Sequence, residues 1–290
     1  MCSVSFLPHS RGFYLGMNRD ESLLRPTANP PGIAKRGERL ALFPSEAGGG
    51  SWVGVNDSGL CVTLINWYAV AREPGSGRVS RGIVVPSVLA VANLLQAKEI
   101  IEALPKEDMS PFRLLVFGLH DRTVREFRWN QRALEELAHT WKPRHWFSSG
   151  CDEPRAQRER GRVARDAWRE SQAGRLPWLR RLHASHEPAR GPFCFCMHRK
   201  DAATVSYTEV VVTRRIATMH YHDGPLCRAP QPTSTQQIAL QSVCKESAPR
   251  PTNQETTHHH ECHPLPVRSP RRQLLSRGLS ARGQILPFAR

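Results

Sequence analysis

Apolar and polar positions alternate with a period of two through most of the first seventy residues, and helical spacing takes over only near residue 84. Ser3 to Leu7 alternates towards a turn at Pro8 to Arg11, and Gly12 to Met17 carries the chain back, so an opening β-hairpin is predicted. Leu40 to Phe43 adds a strand, and Gly48-Gly49-Gly50 gives a flexible approach to Ser51 to Val55. Asn56-Asp57-Ser58-Gly59 is a strong turn signal before the next strand, Leu60 to Asn66. Val84 to Leu95 and Gln96 to Leu104 read as helices, the second ended by Pro105. Phe112 to Leu119 returns to a buried strand, with Val124 to Trp129 as its partner across a turn at His120 to Thr123.

From Asp152 to His186 the pattern is helical with a dense arginine face, Asp152 serving as N-cap ahead of Pro154. Phe193 to His198 and Thr204 to Thr213 read as paired strands around a polar turn at Arg199 to Ala203, with a short strand near Ile216 to Tyr221. Strands in hairpins and helices in groups predict a layered α/β sandwich and disfavour a doubly wound parallel sheet. After Asp223-Gly224-Pro225 the periodicity stops, and Phe288 is the only aromatic residue left. Such a segment buries too little apolar surface to offset chain entropy. The expected organisation is a folded domain over residues 1–227 and a disordered basic tail over 228–290.

A hydrophobic content of 39% supports a core, and no stretch approaches the ~20 apolar residues of a membrane helix. The segment MCSVSFLPHSRG lacks the features of a secretory leader, so a cytoplasmic location is expected, with the eight cysteines as free thiols. The net charge of +15 raises the question of nucleic acid. Most of the excess lies in residues 154–190, with ten Arg against four acids, and 228–290, with nine basic residues against three acids. Neither region carries an RNA-binding aromatic motif or zinc-finger spacing, so no specific nucleic-acid partner is assigned.

Candidate chemistry begins at Cys2. If it becomes the first residue, its thiol sits beside an α-amino group of pKa about 7.7–8.0, and one residue holds both nucleophile and base. A small buried thiol at the start of a strand is the other reading. Pairing of the first two strands would bring Cys2 towards Met17 to Asp20, where Asp20 could orient the amine or thiol and Arg19 could favour thiolate. Arg19 also suits an ordinary strand-end ion pair with Glu21 or Asp20. Cys194-Phe195-Cys196 alternates on a predicted strand, both thiols facing one side, and reads as core packing. The tail run from His258 to His263 contains metal-binding side chains, but no metal or cofactor is assigned.

Met-Cys at the start, Asn18-Arg19-Asp20-Glu21 with Arg25-Pro26, Gly49 to Asn56, and the strand ending Thr63-Leu64-Ile65-Asn66 stand in order along the chain. With Ser80-Arg81-Gly82 and Asp223 to Cys227, they closely resemble the NRDE, or transport-and-Golgi-organisation, family over roughly residues 1–227. That family is similar to N-terminal-nucleophile (Ntn) hydrolases of the choloylglycine hydrolase and penicillin V acylase type. The resemblance implies a four-layer αββα sandwich, Cys2 as nucleophile, Asp20 as the carboxylate near the terminus and Asn66 as an oxyanion-hole donor. It also implies a small-molecule amide or acyl substrate. Met17 stands where those acylases carry an Arg, Ser148-Ser149-Gly150 where they carry an Asn, and Arg199 is the candidate for a late Arg. The alternative that the resemblance implies is a non-enzymatic haem- or lipid-handling protein on the same fold. His198, His220 and His222 would then be the available axial ligands, without a Cys-x-x-Cys-His attachment motif.

Overall fold

Alternating segments joined by tight turns build two antiparallel sheets in the computed structural model, which describes residues 2–241. The strands are β1 (Cys2–His9), β2 (Gly12–Ser22), β3 (Asn29–Arg36), β4 (Arg39–Ser45), β5 (Val53–Asn56), β6 (Leu60–Asn66), β7 (Phe112–Gly118) and β8 (Thr123–Trp129). They continue with β9 (Leu134–His139), β10 (Arg144–Ser148), β11 (Ala202–Val212), β12 (Ile216–His222) and β13 (Ser234–Ala239). Sheet one runs β10-β1-β2-β11-β12-β13, and sheet two runs β3 to β9 in sequence order. Val4, Phe6, Leu15 and Met17 of sheet one pack against Val53, Val55, Cys61 and Phe117 of sheet two. Phe6 stacks on Phe117 with ring centroids 4.8 Å apart.

Helices cover both outer faces. α1 (Val84–Val88) and α2 (Leu94–Ala103) pack on sheet two through Val84, Val85, Ala97 and Ile101. α3 (Glu153–Ala167) and α4 (Leu176–Ala184) pack on sheet one through Val163, Ala164, Trp178 and Leu182, against Leu7 and Phe147. The layer order is αββα, as the resemblance implies. Among the described residues no helix is long and apolar enough to cross a membrane.

The inner strands follow the alternation in the sequence, whereas β3, β9, β10 and β13 carry no such signal. All four are sheet edges. An edge strand pairs on one side only and tolerates residues that a central strand rejects. β3 holds Pro30 and Pro31, β9 is made of helix-favouring Leu, Glu and Ala, and β13 buries only Ile238. The boundary expected at residue 227 therefore falls too early. β13 adds to β12, Leu240 N donates to Arg215 O, and Gln241 N donates to Asp57 O at the β5–β6 turn.

Two further expectations are corrected. The helix expected over Val84 to Leu95 stops at Val88, because Asn93 takes an extended conformation and accepts from Gln96 N as the cap of α2. Phe193 to His198 is not a strand; β11 pairs with β2 and β12, and only a single bridge joins His198 to Ala203. Cys194, Phe195, Cys196 and Met197 are all buried in this irregular segment, so the alternation seen there is not that of a strand. The tail run from His258 to His263 and Phe288 lies outside the described residues.

A charged cluster crosses the sandwich interior. Buried Glu126 on β8 accepts from Arg113 Nε and Arg128 Nε, both at 2.7 Å, and from Trp146 Nε1 of the facing sheet at 3.2 Å. His139 Nε2 lies 2.7 Å from its second oxygen. Burial alone would push the Glu126 carboxyl up, but the guanidinium partners outweigh it and hold the group down at about 2. A depressed carboxylate stabilises the fold above its unfolded pKa of about 4.3, and that contribution is lost as pH falls towards 2.

Glu126→Gln is therefore expected to lower stability at neutral pH by about 3 kcal/mol and to flatten the acid limb of the melting curve between about pH 4 and 2. Urea unfolding from about pH 7 down to about pH 2 measures both; parallel wild-type and variant stability curves would count against the assignment. A chain ending at residue 227 is expected to melt lower than one ending at 241, because it lacks β13 and buried Ile238. Equal melting temperatures would show that β13 contributes nothing.

Candidate active site

Register in the opening hairpin decides what surrounds Cys2. β1 pairs with β2 so that Cys2 lies opposite Arg19 and Ser3 opposite Asn18. Directly opposed residues share a face, and successive residues alternate. Cys2 and Arg19 thus face the second sheet, while Ser3, Asn18 and Asp20 face α3 and α4. On the other side of β1, Cys2 lies opposite Ser148 of β10, and Cys2 N donates to Ser148 Oγ at 3.0 Å.

Arg160 of α3 belongs to the dense arginine face that the sequence predicts, yet its side chain points inward. It is fully buried. The signal was present: Ala156, Arg160, Val163 and Ala164 form the buried stripe of α3, so Arg160 occupies an apolar-face position. Its Nη1 donates to Ser3 Oγ at 2.9 Å and reaches Cys2 O at 3.5 Å, while its Nη2 donates to Pro192 O at 3.2 Å and lies 3.5 Å from Asp20 Oδ2. Thr204 Oγ1 donates to Asp20 Oδ1 at 2.6 Å. A bulge in β11 makes this contact. Thr204 opposes Asp20 and Ser206 opposes Arg19, leaving Val205 unmatched. The extra residue reverses the alternation and turns Thr204 to the helix side, where Asp20 is.

Burial pushes the Asp20 carboxyl up, and Arg160 is the largest influence opposing that shift. Burial also raises the Cys2 thiol. The amino-terminal charge lowers it, the Asp20 carboxylate raises it, and the Asp20 backbone N–H and Arg19 lower it. Asp20 acts on the sulfur through its main chain and its charge, while its carboxylate is held on the other face.

Arg19 places its guanidinium over the Trp52 ring at 4.4 Å and donates to Glu46 Oε1 at 2.7 Å. Its salt bridge with Glu21 is longer, at 3.6 Å. Asn66 ends β6, and its Nδ2 donates to Tyr68 Oη at 2.8 Å. Cys2, Arg19, Asp20 and Asn66 all line one cavity of about 200 Å³, which Arg81, Tyr68 and Trp52 also border. Arg81 is half-buried, its desolvation lowers its pKa, and its Nη1 donates to Pro111 O.

Arg199 does not line this cavity. It forms a bidentate pair with Asp201 and borders an adjacent groove. His220 Nδ1 lies 3.0 Å from Thr235 Oγ1, and buried His222 points Nδ1 at Ala229 O, 2.8 Å away. His198 meets Cys196, Cys227 and His186, a cluster with metal-ligating side chains for which no sequence motif gave a signal. Cys194 and Cys196 do not act together: Cys194 Sγ donates to Gly191 O and Cys196 O, while Cys196 Sγ contacts Cys227 Sγ.

A family model described as Transport and Golgi organisation 2 matches residues 1–172. No curated protein gives a significant sequence match. Among solved structures, the chain is similar to penicillin V acylase from Agrobacterium tumefaciens at 10% identity and a TM-score of 0.47, over 83% of this chain and 86% of that one. It is also similar to a variant of conjugated bile acid hydrolase from Clostridium perfringens, at 8% identity and a TM-score of 0.42, over 85% of this chain and all of that one.

Removing Arg160 would take from the buried Asp20 carboxylate the guanidinium that most opposes its desolvation. Arg160→Met is expected to cost about 3–5 kcal/mol, and about 1–3 kcal/mol less in an Asp20→Asn background. Denaturant unfolding of the four proteins measures the coupling; strictly additive losses would mean that the pair is not what Arg160 supports.

Proposed function

We propose that this chain, which belongs to the Transport and Golgi organisation 2 family, is an amidohydrolase that uses Cys2 as an N-terminal nucleophile on a small amide or acyl conjugate. The observation that carries the reading is that Cys2 of β1, Arg19 and Asp20 of β2 and Asn66 at the end of β6 line a single cavity. Cleavage of the peptide bond before Cys2 would free its nitrogen as an amine, already within hydrogen-bond distance of Ser148 Oγ.

The chemistry follows from the atoms present. With the thiol pushed up by burial, Cys2 Sγ needs a base, and the adjacent α-amine takes its proton as sulfur attacks the carbonyl carbon. The oxyanion that forms is met by Asn66 Nδ2, which carries two hydrogens and gives one to Tyr68. Such a donor contributes roughly 2.7–4 kcal/mol to the transition state. Collapse of the tetrahedral adduct breaks the C–N bond, and the ammonium returns the proton to the departing amine. Water, deprotonated by the same amine, then cleaves the thioester. Asp20 is a positioning residue in this scheme. Its N–H supports the sulfur, and its charge favours the ammonium over the free amine.

Acylation by a cysteine-directed activated ester is expected to rise with pH through the α-amine range near about 8 in protein beginning at Cys2. Protein retaining Met1 should lose that limb and react only as the thiol itself ionises. Asp20→Asn is expected to slow acylation about tenfold or more without changing the circular dichroism spectrum, and Cys61→Ser to leave it unchanged. Intact mass and peptide mapping read the result; full-rate labelling of Cys2 in Met1-bearing protein would rule out the N-terminal mechanism.

A further inference from the structure

We infer that His186, Cys196, His198 and Cys227 form a closed, four-coordinate zinc site beside the candidate active site. Their donor atoms come from three separated segments. His186 follows α4, Cys196 and His198 lie in the irregular segment before β11, and Cys227 lies in the turn after β12. All four donor atoms lie within 4.8 Å of one another.

Four of the six spacings among those atoms are close to those of a tetrahedron around a metal, and the two from His186 to the sulfurs are at most 4.8 Å. Zinc bonds of about 2.3 Å to sulfur and about 2.0–2.1 Å to nitrogen, at tetrahedral angles, set donors apart by about 3.8 Å (S to S), about 3.6 Å (S to N) and about 3.3 Å (N to N). The Cys196 and Cys227 sulfurs are 3.4 Å apart. His198 Nε2 lies 3.6 Å from the first and 3.5 Å from the second, and 3.1 Å from His186 Nε2. A disulfide needs its sulfurs about 2.0 Å apart and gives no role to two imidazoles converging through the same atom type.

The donor chemistry selects the ion. Two thiolates and two neutral imidazoles suit zinc, and two thiolates offset its charge, so the filled site is neutral. On binding, the two thiols release their protons to solvent. Four protein donors leave no open position, which assigns a structural role.

The local main chain is already arranged for that role. Cys196 N donates to Ser185 O, next to His186, and Arg228 and Ala229 both donate to Pro225 O, closing the turn that presents Cys227. Asn18 donates to both His183 O and Phe195 O, tying β2 to the two stretches that carry His186 and Cys196. Thr204 Oγ1, which donates to Asp20, also accepts from Met197 N at 2.9 Å. The metal would thus fasten the chain segment from which Thr204 and Asp20 take their position.

The test uses the full-length chain without a polyhistidine tag, and a tail variant with His258, His259, His260 and His263 all changed to Ala. Elemental analysis after dialysis is expected to find one zinc per chain in both. Cobalt(II) exchanged for zinc should give the visible bands of a tetrahedral ion and a charge-transfer band from two thiolates. Cys227→Ser and His198→Asn should each weaken zinc binding more than about tenfold, whereas Cys194→Ser should retain both metal and spectrum. If Cys227→Ser fails to fold, the thiolate count from wild-type cobalt protein decides. The inference is overturned if the tail variant is metal-free, if cobalt shows no thiolate ligation, or if Cys196 and Cys227 are recovered as a disulfide from protein purified without oxidant. None of these readouts depends on Cys2 reactivity, so hydrolase activity and the metal site stand or fall separately.

Discussion

The buried guanidinium of Arg160 is the interaction on which the arrangement around Cys2 depends. It reaches the Cys2 carbonyl, the Ser3 hydroxyl, the Asp20 carboxylate and the Pro192 carbonyl, and so joins α3, β1, β2 and the loop before β11. A buried cation is expensive unless its hydrogen bonds are satisfied, so each partner is constrained by that need. Strand alternation turns the Asp20 side chain to the helix side, and Arg160 holds its carboxylate there at the border of the cavity that Cys2, Arg19 and Asn66 also line.

A chain with an excess of positive charge invites a reading in terms of external partners, yet several arginines are consumed internally. Arg113 meets Glu126, Arg19 meets Glu46 and Trp52, and Arg180 of α4 forms a bidentate pair with buried Glu209 of β11. The same residue type that makes the surface basic also holds helices to sheets. Arginine suits both tasks because its planar fork matches a carboxylate and its charge persists when partly desolvated.

How much of this was legible in the sequence differs between strand centres and sheet margins. The hairpin at Pro8 to Arg11, the turn at Asn56 to Gly59 and the strand ending at Asn66 could be read directly, because alternation and turn residues are local. The edges β3, β9, β10 and β13 could not, since a strand paired on one side is specified by its neighbour more than by its own residues. That blind spot had a cost at the site, because β10 carries Ser148. Cys2, Asp20, Arg19 and Asn66 were legible as candidates from Met-Cys, the Asn-Arg-Asp-Glu run and the strand end. Arg160 was masked by the arginines around it, although its place in the Ala156 to Ala164 stripe distinguished it. His186, Cys196, His198 and Cys227 follow no motif spacing, and only the tertiary fold assembles them.

The bulge at Val205 carries a constraint on how this chain can vary in length. On its Ala202 side β11 presents Thr204 to the helix layer, and on its Ser206 side the strand keeps the phase that buries Val210 and Val212 between the sheets. A residue gained or lost at the β11–β12 turn shifts only exposed chain, whereas one lost at the bulge transfers Thr204 to the wrong side of the sheet. Insertions and deletions should therefore be absorbed at the hairpin tips and rejected at this single position, which acts through strand phase alone.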